Sequence, residues 1–184
     1  KVFDQMRKLQ GYTDEGSPGR DWNVATGMVI EGKAGFQIMG DWAKGEFTAA
    51  GKTPGVDYYC AATPSNNGYL YNVDSFIFYK SSDPDKQAGQ KLLAKLMMGK
   101  NFQKVFNLYK GSIPARLDVS MDEFDKCAKT SNADIKTAGA KGGLVPSFAH
   151  GMAQGNTMKA ALQDIITEHF NSDMSSVDAA NALA

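Results

Sequence analysis

The chain has 184 residues, of which 42% are hydrophobic, and its 20 basic residues balance its 20 acidic ones. A balanced charge gives no support to a function that depends on bulk attraction to nucleic acid or to a membrane surface. No apolar run approaches the roughly 18 residues that span a membrane, and the composition is that of globular proteins in general.

The chain opens with the spacing of an amphipathic helix and no capping residue ahead of it. We therefore expect it to begin inside a helix and to be the C-terminal part of a longer protein. A second helix is predicted over 22–31, with Gly32 just past its end. The apolar residues of the opening helix are Val2, Phe3, Met6 and Leu9.

The next stretch predicts a strand that leads into a helix. Residues 34–39 are mostly branched or apolar and suit a short buried strand that ends at Gly40. Asp41 is expected to cap a helix over 42–50. Ligands bind outside the carboxyl ends of strands in open α/β sheets, so Trp42 stands where a ligand would be met. An ordinary core position explains Trp42 equally well.

Two further extended runs follow, over 56–63 and 69–80, separated by a predicted turn over 64–68. The second run is rich in aromatic residues. Asn72 and Asp74 lie two residues apart within it and therefore share one face of the predicted strand. Polar residues in so apolar a run favour a functional role.

The rest of the chain predicts helices. Asp83 and Pro84 have the pattern of a cap followed by the first helical position, and the segment that begins at Ser120 has a capping box. His169 falls late in one of these helices and is expected at the surface. The predicted helices cover 84–98, 102–109, a segment after Ser120 that carries Phe124 and Cys127, 157–170, and a short helix after Ser175.

The sequence lacks the short motifs of nucleophilic, phosphate-binding, dinucleotide-binding and zinc-dependent enzymes. A glycosidase needs two carboxylates, and Asp74 is the acidic residue set off in an apolar run. We therefore expect no enzyme activity, no cofactor and no metal. Cys60 and Cys127 are too few for a disulfide scaffold, and the residues alone allow either one bridge or two unrelated thiols.

Five dispersed residues have the chemistry that a sugar requires: Trp42, Asn72, Asp74, Lys110 and His150. A pyranose packs its apolar C–H face on an indole, while its hydroxyls donate to a carboxylate and accept from an ammonium. Ordinary structural explanations remain open, namely a strand-end cap for Asp74, a solvated helix end for Lys110 and a loop position for His150.

Four motifs resemble the second half of bacterial ABC-transporter sugar-binding proteins, and in particular their glucose/mannose-binding subgroup. The resemblance covers nearly the whole chain and includes the helix start at Asp83. The motifs are Gly40-Asp-Trp42, Asn72-Val-Asp74, Lys110-Gly-Ser-Ile-Pro-Ala-Arg116 and Pro146-Ser-Phe-Ala-His150.

The resemblance implies a two-lobed α/β fold of the type II periplasmic-binding-protein kind. Residues 1–75 and 118–184 then belong to the second lobe, and 76–117 return to the first. The N-terminal half, in the same or a second chain, would supply the remaining part of the site. The resemblance also implies an oxidising compartment and places Cys60 and Cys127 in one lobe, so we expect them to be bonded.

The resemblance implies that Trp42 packs on the sugar ring and that Asp74, Lys110 and His150 bond its hydroxyls, with Asn72 either bonding the sugar or supporting Asp74. We expect a periplasmic or membrane-tethered extracellular protein that binds glucose or mannose and delivers it to the permease subunits of an ABC importer. Alternatives are another sugar or oligosaccharide, or a fragment of a carbohydrate-active enzyme. No nucleic acid is expected.

Overall fold

A computed structural model describes residues 1–64 and 68–184. The turn predicted over 64–68 falls mainly on residues outside this part of the chain. No helix within the described residues is both long and apolar enough to cross a membrane. The elements in chain order are α1 (Val2–Gln10), α2 (Trp22–Ile30), α3 (Lys44–Ala49), β1 (Tyr69–Tyr71), α4 (Pro84–Met97), α5 (Lys100–Lys110), α6 (Lys126–Ala140), β2 (Leu144–Pro146), α7 (Asn156–Asn171) and α8 (Ser176–Ala182).

The chain divides into two compact units. Unit 1 comprises residues 1–21, 70–72 and 145–184, and unit 2 comprises residues 22–69 and 73–144. These divisions do not follow the predicted lobe boundaries after residues 75 and 117. The lobe assignment stays a prediction, because it concerns the lobes of a longer protein.

A two-stranded sheet pairs β1 with β2. Tyr69 N donates to Gly143 O, and Ser147 N donates to Tyr71 O, each over 2.8 Å. Residue numbers rise together along the two strands, so they run parallel. The division between the units passes through both strands. The sheet is much smaller than the predicted α/β architecture requires, and helices dominate the described fold.

Unit 1 is built from α1, α7 and α8, which pack on one another. His169 on α7 is fully buried, and its ring centroid lies 4.8 Å from that of Phe3 on α1. The prediction that His169 lies at the surface is wrong. The residue follows Ile165 and Ile166 by four and three positions, so it occupies the same helix face, and position outweighs its polarity.

Arg7 on α1 ties down the end of α7. Its guanidinium donates to the backbone oxygens of His169, Ser172 and Met174, and the bonds to Ser172 and Met174 are each 2.8 Å long. The last carbonyls of a helix have no hydrogen-bond donor within the helix. Arg7, from a distant part of the chain, supplies donors for the carbonyls at this end of α7.

Arg7→Ala is expected to lower the free energy of unfolding by about 2 kcal/mol, since it removes three charge-assisted hydrogen bonds, of which those to His169 O and Met174 O are partly buried. Urea unfolding of the full-length protein measures the loss. Arg7→Lys should recover only part of it, because an ammonium cannot reproduce the planar fork. Lys8→Ala, an exposed neighbour on the same helix, is the control. An Arg7→Ala midpoint equal to that of Lys8→Ala would contradict the expectation.

Unit 2 centres on α3, which packs on α2 and α5. Phe47 on α3 is buried, and its ring stacks on Tyr58 at a centroid distance of 4.1 Å. Lys44, also buried, donates to Asp125 over 2.7 Å. Burial alone would raise the pKa of Asp125, but the bonds from Lys44 and a backbone amide outweigh it and lower that pKa.

Of the three predicted strands, two do not form and one is shortened. Residues 34–39 and 56–63 form no strand, and 69–80 contributes only β1. An apolar run becomes a strand only when neighbouring backbone pairs with it along its length, and among the described residues 56–63 make only an isolated bridge, between Tyr58 and Pro54. Phe36 is 95% exposed, and Gln37 bonds back to Trp22 O on α2.

Helix starts were predicted best where the cap is local and unambiguous. Asp83 caps α4 by accepting from the amides of Asp85 and Lys86, as predicted. The predicted capping box at Ser120 is wrong, because Asp125 caps α6 instead. Asp41 does not cap a helix either. It begins a 3-10 turn over Asp41–Ala43, and α3 follows directly.

Candidate functional site

The segment that carries Trp42 is shaped by the glycine two residues before it. Gly40 is extended, with φ −72° and ψ 166°. A Cβ atom at Gly40 would lie 2.1 Å from Cζ3 of Trp42, so the indole lies directly over this glycine. Trp42 is half-buried. An indole held flat against the main chain in this way has the form of an apolar plate.

The turn after α5 lies against this segment. Gly111 ends α5 with φ +86°, a backbone conformation that residues other than glycine rarely adopt. A Cβ at Gly111 would lie 2.7 Å from Gly45 N, and a Cβ at Gly45 would lie 2.9 Å from Lys110 O. Two glycines therefore allow the backbone that carries Trp42 and the backbone that carries Lys110 to touch.

The side chain of Asp41 also links the Trp42 segment to the turn after α5. Its Oδ2 accepts from Ile113 N over 3.2 Å. Burial raises the pKa of Asp41, against the opposing effect of hydrogen bonds from Ser112 and Ile113 N. Sequence reasoning missed this role, because the bond joins residues 72 positions apart.

Lys110 and Asp74 form an ion pair in unit 2. The Lys110 side chain is 29% exposed and that of Asp74 is 66% exposed. The Lys110 ammonium also lies 5.8 Å from the centroid of the Phe106 ring, within the range of a cation–π contact. One carboxylate and one ammonium are thus held together near the protein surface. Asp74 caps no strand, since β1 ends at Tyr71.

Asn72 and His150 lie in unit 1. Asn72 follows β1 and His150 follows β2, so both come after the carboxyl ends of parallel strands, where ligands are usually met. Ser147 Oγ, on a buried residue, forms a 2.6 Å hydrogen bond with His150 Nδ1. Ser147 was missed, although a serine three residues before a histidine is the spacing of a local side-chain turn.

The structure therefore groups the predicted residues by unit. Trp42, Asp74 and Lys110 lie on unit 2, where backbone contacts join the Trp42 and Lys110 segments and an ion pair joins Asp74 to Lys110. Asn72 and His150 lie on unit 1.

Cys60 and Cys127 are joined by a disulfide within unit 2, with their Cα atoms 5.7 Å apart. Within the described residues, no group of three His, Cys, Asp or Glu side chains is placed to hold a metal ion.

Each unit has a surface depression among its described residues. One, of about 540 Å³, lies on unit 2 beside Lys110 and is lined by aromatic and apolar side chains of α5. The other, of about 550 Å³, lies on unit 1 beside Arg7 and the end of α7 and contains none of the predicted site residues. Only the first adjoins the candidate site.

Comparison with known proteins gives a consistent set of relatives. Residues 1–157 match a family described as bacterial extracellular solute-binding protein. A "Probable sugar-binding periplasmic protein" of Brucella suis is 48% identical over 184 residues, which is the whole of this chain and 44% of that relative.

Two more distant relatives come from archaea. An uncharacterised ABC transporter extracellular-binding protein of Pyrococcus horikoshii is 34% identical over 169 residues, covering 91% of this chain and 37% of the relative. A xylose/arabinose-binding protein of Haloferax volcanii is 28% identical over 149 residues, covering 78% of this chain and 31% of the relative. The chain spans less than half the length of these relatives.

Proposed function

The chain belongs to the bacterial extracellular solute-binding proteins, and on that premise we propose that it is the C-terminal part of a protein that binds glucose or mannose in the periplasm and delivers it to an ABC importer. The names of the relatives, which refer to sugar binding, the periplasm and ABC transport, support this proposal. The observation that carries it is the Lys110–Asp74 ion pair, held on the turn that touches the Trp42 segment.

These three side chains match the surface of a pyranose. The indole of Trp42 offers an apolar face for the C–H side of the ring. Asp74 accepts from hydroxyls and Lys110 donates to them, and such charge-assisted bonds are about twice as strong as neutral ones. Because Asp74 is paired with a cation rather than a second acid, the arrangement suits binding without chemical change to the sugar.

Asn72 and His150 enter the proposal through the family resemblance and through their places after β1 and β2. The 2.6 Å hydrogen bond between Ser147 Oγ and His150 Nδ1 fixes the orientation of the imidazole. We assign both residues to hydroxyl recognition, with Asn72 bonding the sugar or supporting Asp74.

An exposed apolar helix face supports the proposal that a larger protein surrounds this chain. None of the 14 residues of α4 is buried, and Leu92 and Leu96 are 70% and 60% exposed. Neighbouring Ile77 and Tyr79 are 78% and 82% exposed. Apolar surface on this scale is normally covered. We propose that the remaining part of the protein covers it, as expected if 76–117 belong to the first of two lobes.

The main alternative is a different sugar. The Haloferax relative is named for xylose and arabinose, and an indole with a carboxylate and an ammonium would also suit a pentose. Calorimetry of the full-length protein against glucose, mannose, xylose, arabinose and maltose discriminates between these ligands. Tightest binding of glucose or mannose supports the proposal, and a preference for a pentose replaces it with the alternative.

Trp42→Ala is expected to weaken hexose binding by about 30- to 150-fold in the full-length protein. The loss corresponds to roughly 2–3 kcal/mol for removing an aromatic packing surface from a buried contact. Trp22→Phe, a change at the other tryptophan of this chain, is the control and should bind normally. Parent-like affinity in Trp42→Ala would show that the indole is not the sugar platform.

A further inference from the structure

The glycine at position 40 is required by space and not by backbone conformation. Its φ of −72° and ψ of 166° suit any residue. A Cβ at this position, however, would lie 2.1, 2.3 and 2.5 Å from three ring carbons of Trp42. These separations are far shorter than any van der Waals contact between carbon atoms. The ring of Trp42 therefore occupies the volume that a side chain at residue 40 would need.

We propose that Gly40 is a positioning residue of the sugar site, because its missing side chain sets the plane of the Trp42 indole. The inference rests on the proposed function and extends it to a residue that touches no sugar. A ring held over the main chain before ligand arrives loses little freedom on binding, and such preorganisation increases affinity.

The backbone that follows Gly40 is held by contacts with a distant segment. Asp41 bonds to Ile113 N, and the close approach of Gly45 and Gly111 holds the segment against the turn after α5. We therefore expect a methyl group at residue 40 to displace the ring. The indole would leave its place over residue 40, and its face would no longer present the same plane.

Gly40→Ala in the full-length protein tests this inference. We expect sugar affinity to fall by at least tenfold. We also expect the ¹⁹F resonance of 5-fluorotryptophan at position 42, assigned by its loss in Trp42→Phe, to shift in the absence of sugar. Gly35→Ala is the matched control, since a Cβ at Gly35 meets nothing within 4 Å. It should change neither quantity.

A double variant separates the effect on the ring from a general loss of stability. The three atoms nearest to a Cβ at residue 40 all belong to the indole, so we expect Gly40→Ala combined with Trp42→Ala to unfold at the same urea concentration as Trp42→Ala alone. A stability loss from Gly40→Ala that persists without the ring overturns the inference. So does a Gly40→Ala protein whose affinity and ¹⁹F spectrum match those of the parent.

The outcomes for the two proposals differ. A parent protein that binds none of the sugars overturns the proposed function and, with it, the role of Gly40 in sugar binding. A parent that binds sugar, together with a Gly40→Ala variant that binds it equally well, overturns only the positioning role.

Discussion

Replacing Cys60 and Cys127 together with serine is expected to lower the free energy of unfolding by about 4 kcal/mol. The bond closes a loop over a sequence separation of 67 residues, and in the chain-entropy account a loop of that length stabilises the fold by about this amount. The segment around Cys60 forms no strand, so no sheet hydrogen bonds from the described residues hold it in place. The disulfide links this segment covalently to α6.

Guanidinium unfolding of the full-length protein measures this loss. Either single serine variant should lose about as much as the double variant, because each alone breaks the bond. The oxidised parent treated with a reductant should approach the same value. Peptide mapping without reduction that recovers Cys60 and Cys127 as free thiols would contradict the expectation.

Asp74→Ala is expected to weaken sugar binding by about 150-fold or more, at least as much as Trp42→Ala. The variant loses two charge-assisted hydrogen bonds to hydroxyls, worth together about 3 kcal/mol. It also leaves the Lys110 ammonium without its carboxylate. Lys110→Ala should cost somewhat less, because a flexible side chain regains rotamer freedom when it is removed from the bound state.

The coupling of Asp74 and Lys110 gives a sharper test than either loss alone. Asp74 and Lys110 are paired. The loss of sugar affinity in the double variant Asp74→Ala/Lys110→Ala should therefore be smaller than the sum of the losses in the two single variants. Asp164→Ala, at an exposed position of α7, should bind normally in the same calorimetric assay. Additive losses, or an Asp74→Ala variant with parent-like affinity, would exclude the ion pair from the sugar site.

The elements that the sequence predicted correctly are those with local determinants. Asp83 caps α4 with amides two and three residues away, and Ser175 caps α8 with the amide of Asp178. A cap of this kind is visible within one turn of chain. The strand predicted over 34–39 depended instead on backbone partners that no local pattern can supply.

The candidate site also combines features that are local in sequence with features that depend on distant residues. The residue types of Trp42, Asp74 and Lys110 indicated sugar chemistry before their contacts were known. The pairing of Asp74 with Lys110 spans 36 positions, and no spacing in the sequence announces it. His169 was predicted at the surface, yet it is fully buried, because it lies on the same face of α7 as Ile165 and Ile166.

The contacts of Arg7 also constrain the order in which unit 1 can form. Its three carbonyl partners lie 162, 165 and 167 positions later in the chain. A growing polypeptide therefore cannot complete this cluster until almost all of the present sequence has left the ribosome. Contacts of such long range slow folding. A chain that must be exported before it folds would gain time for translocation from this arrangement.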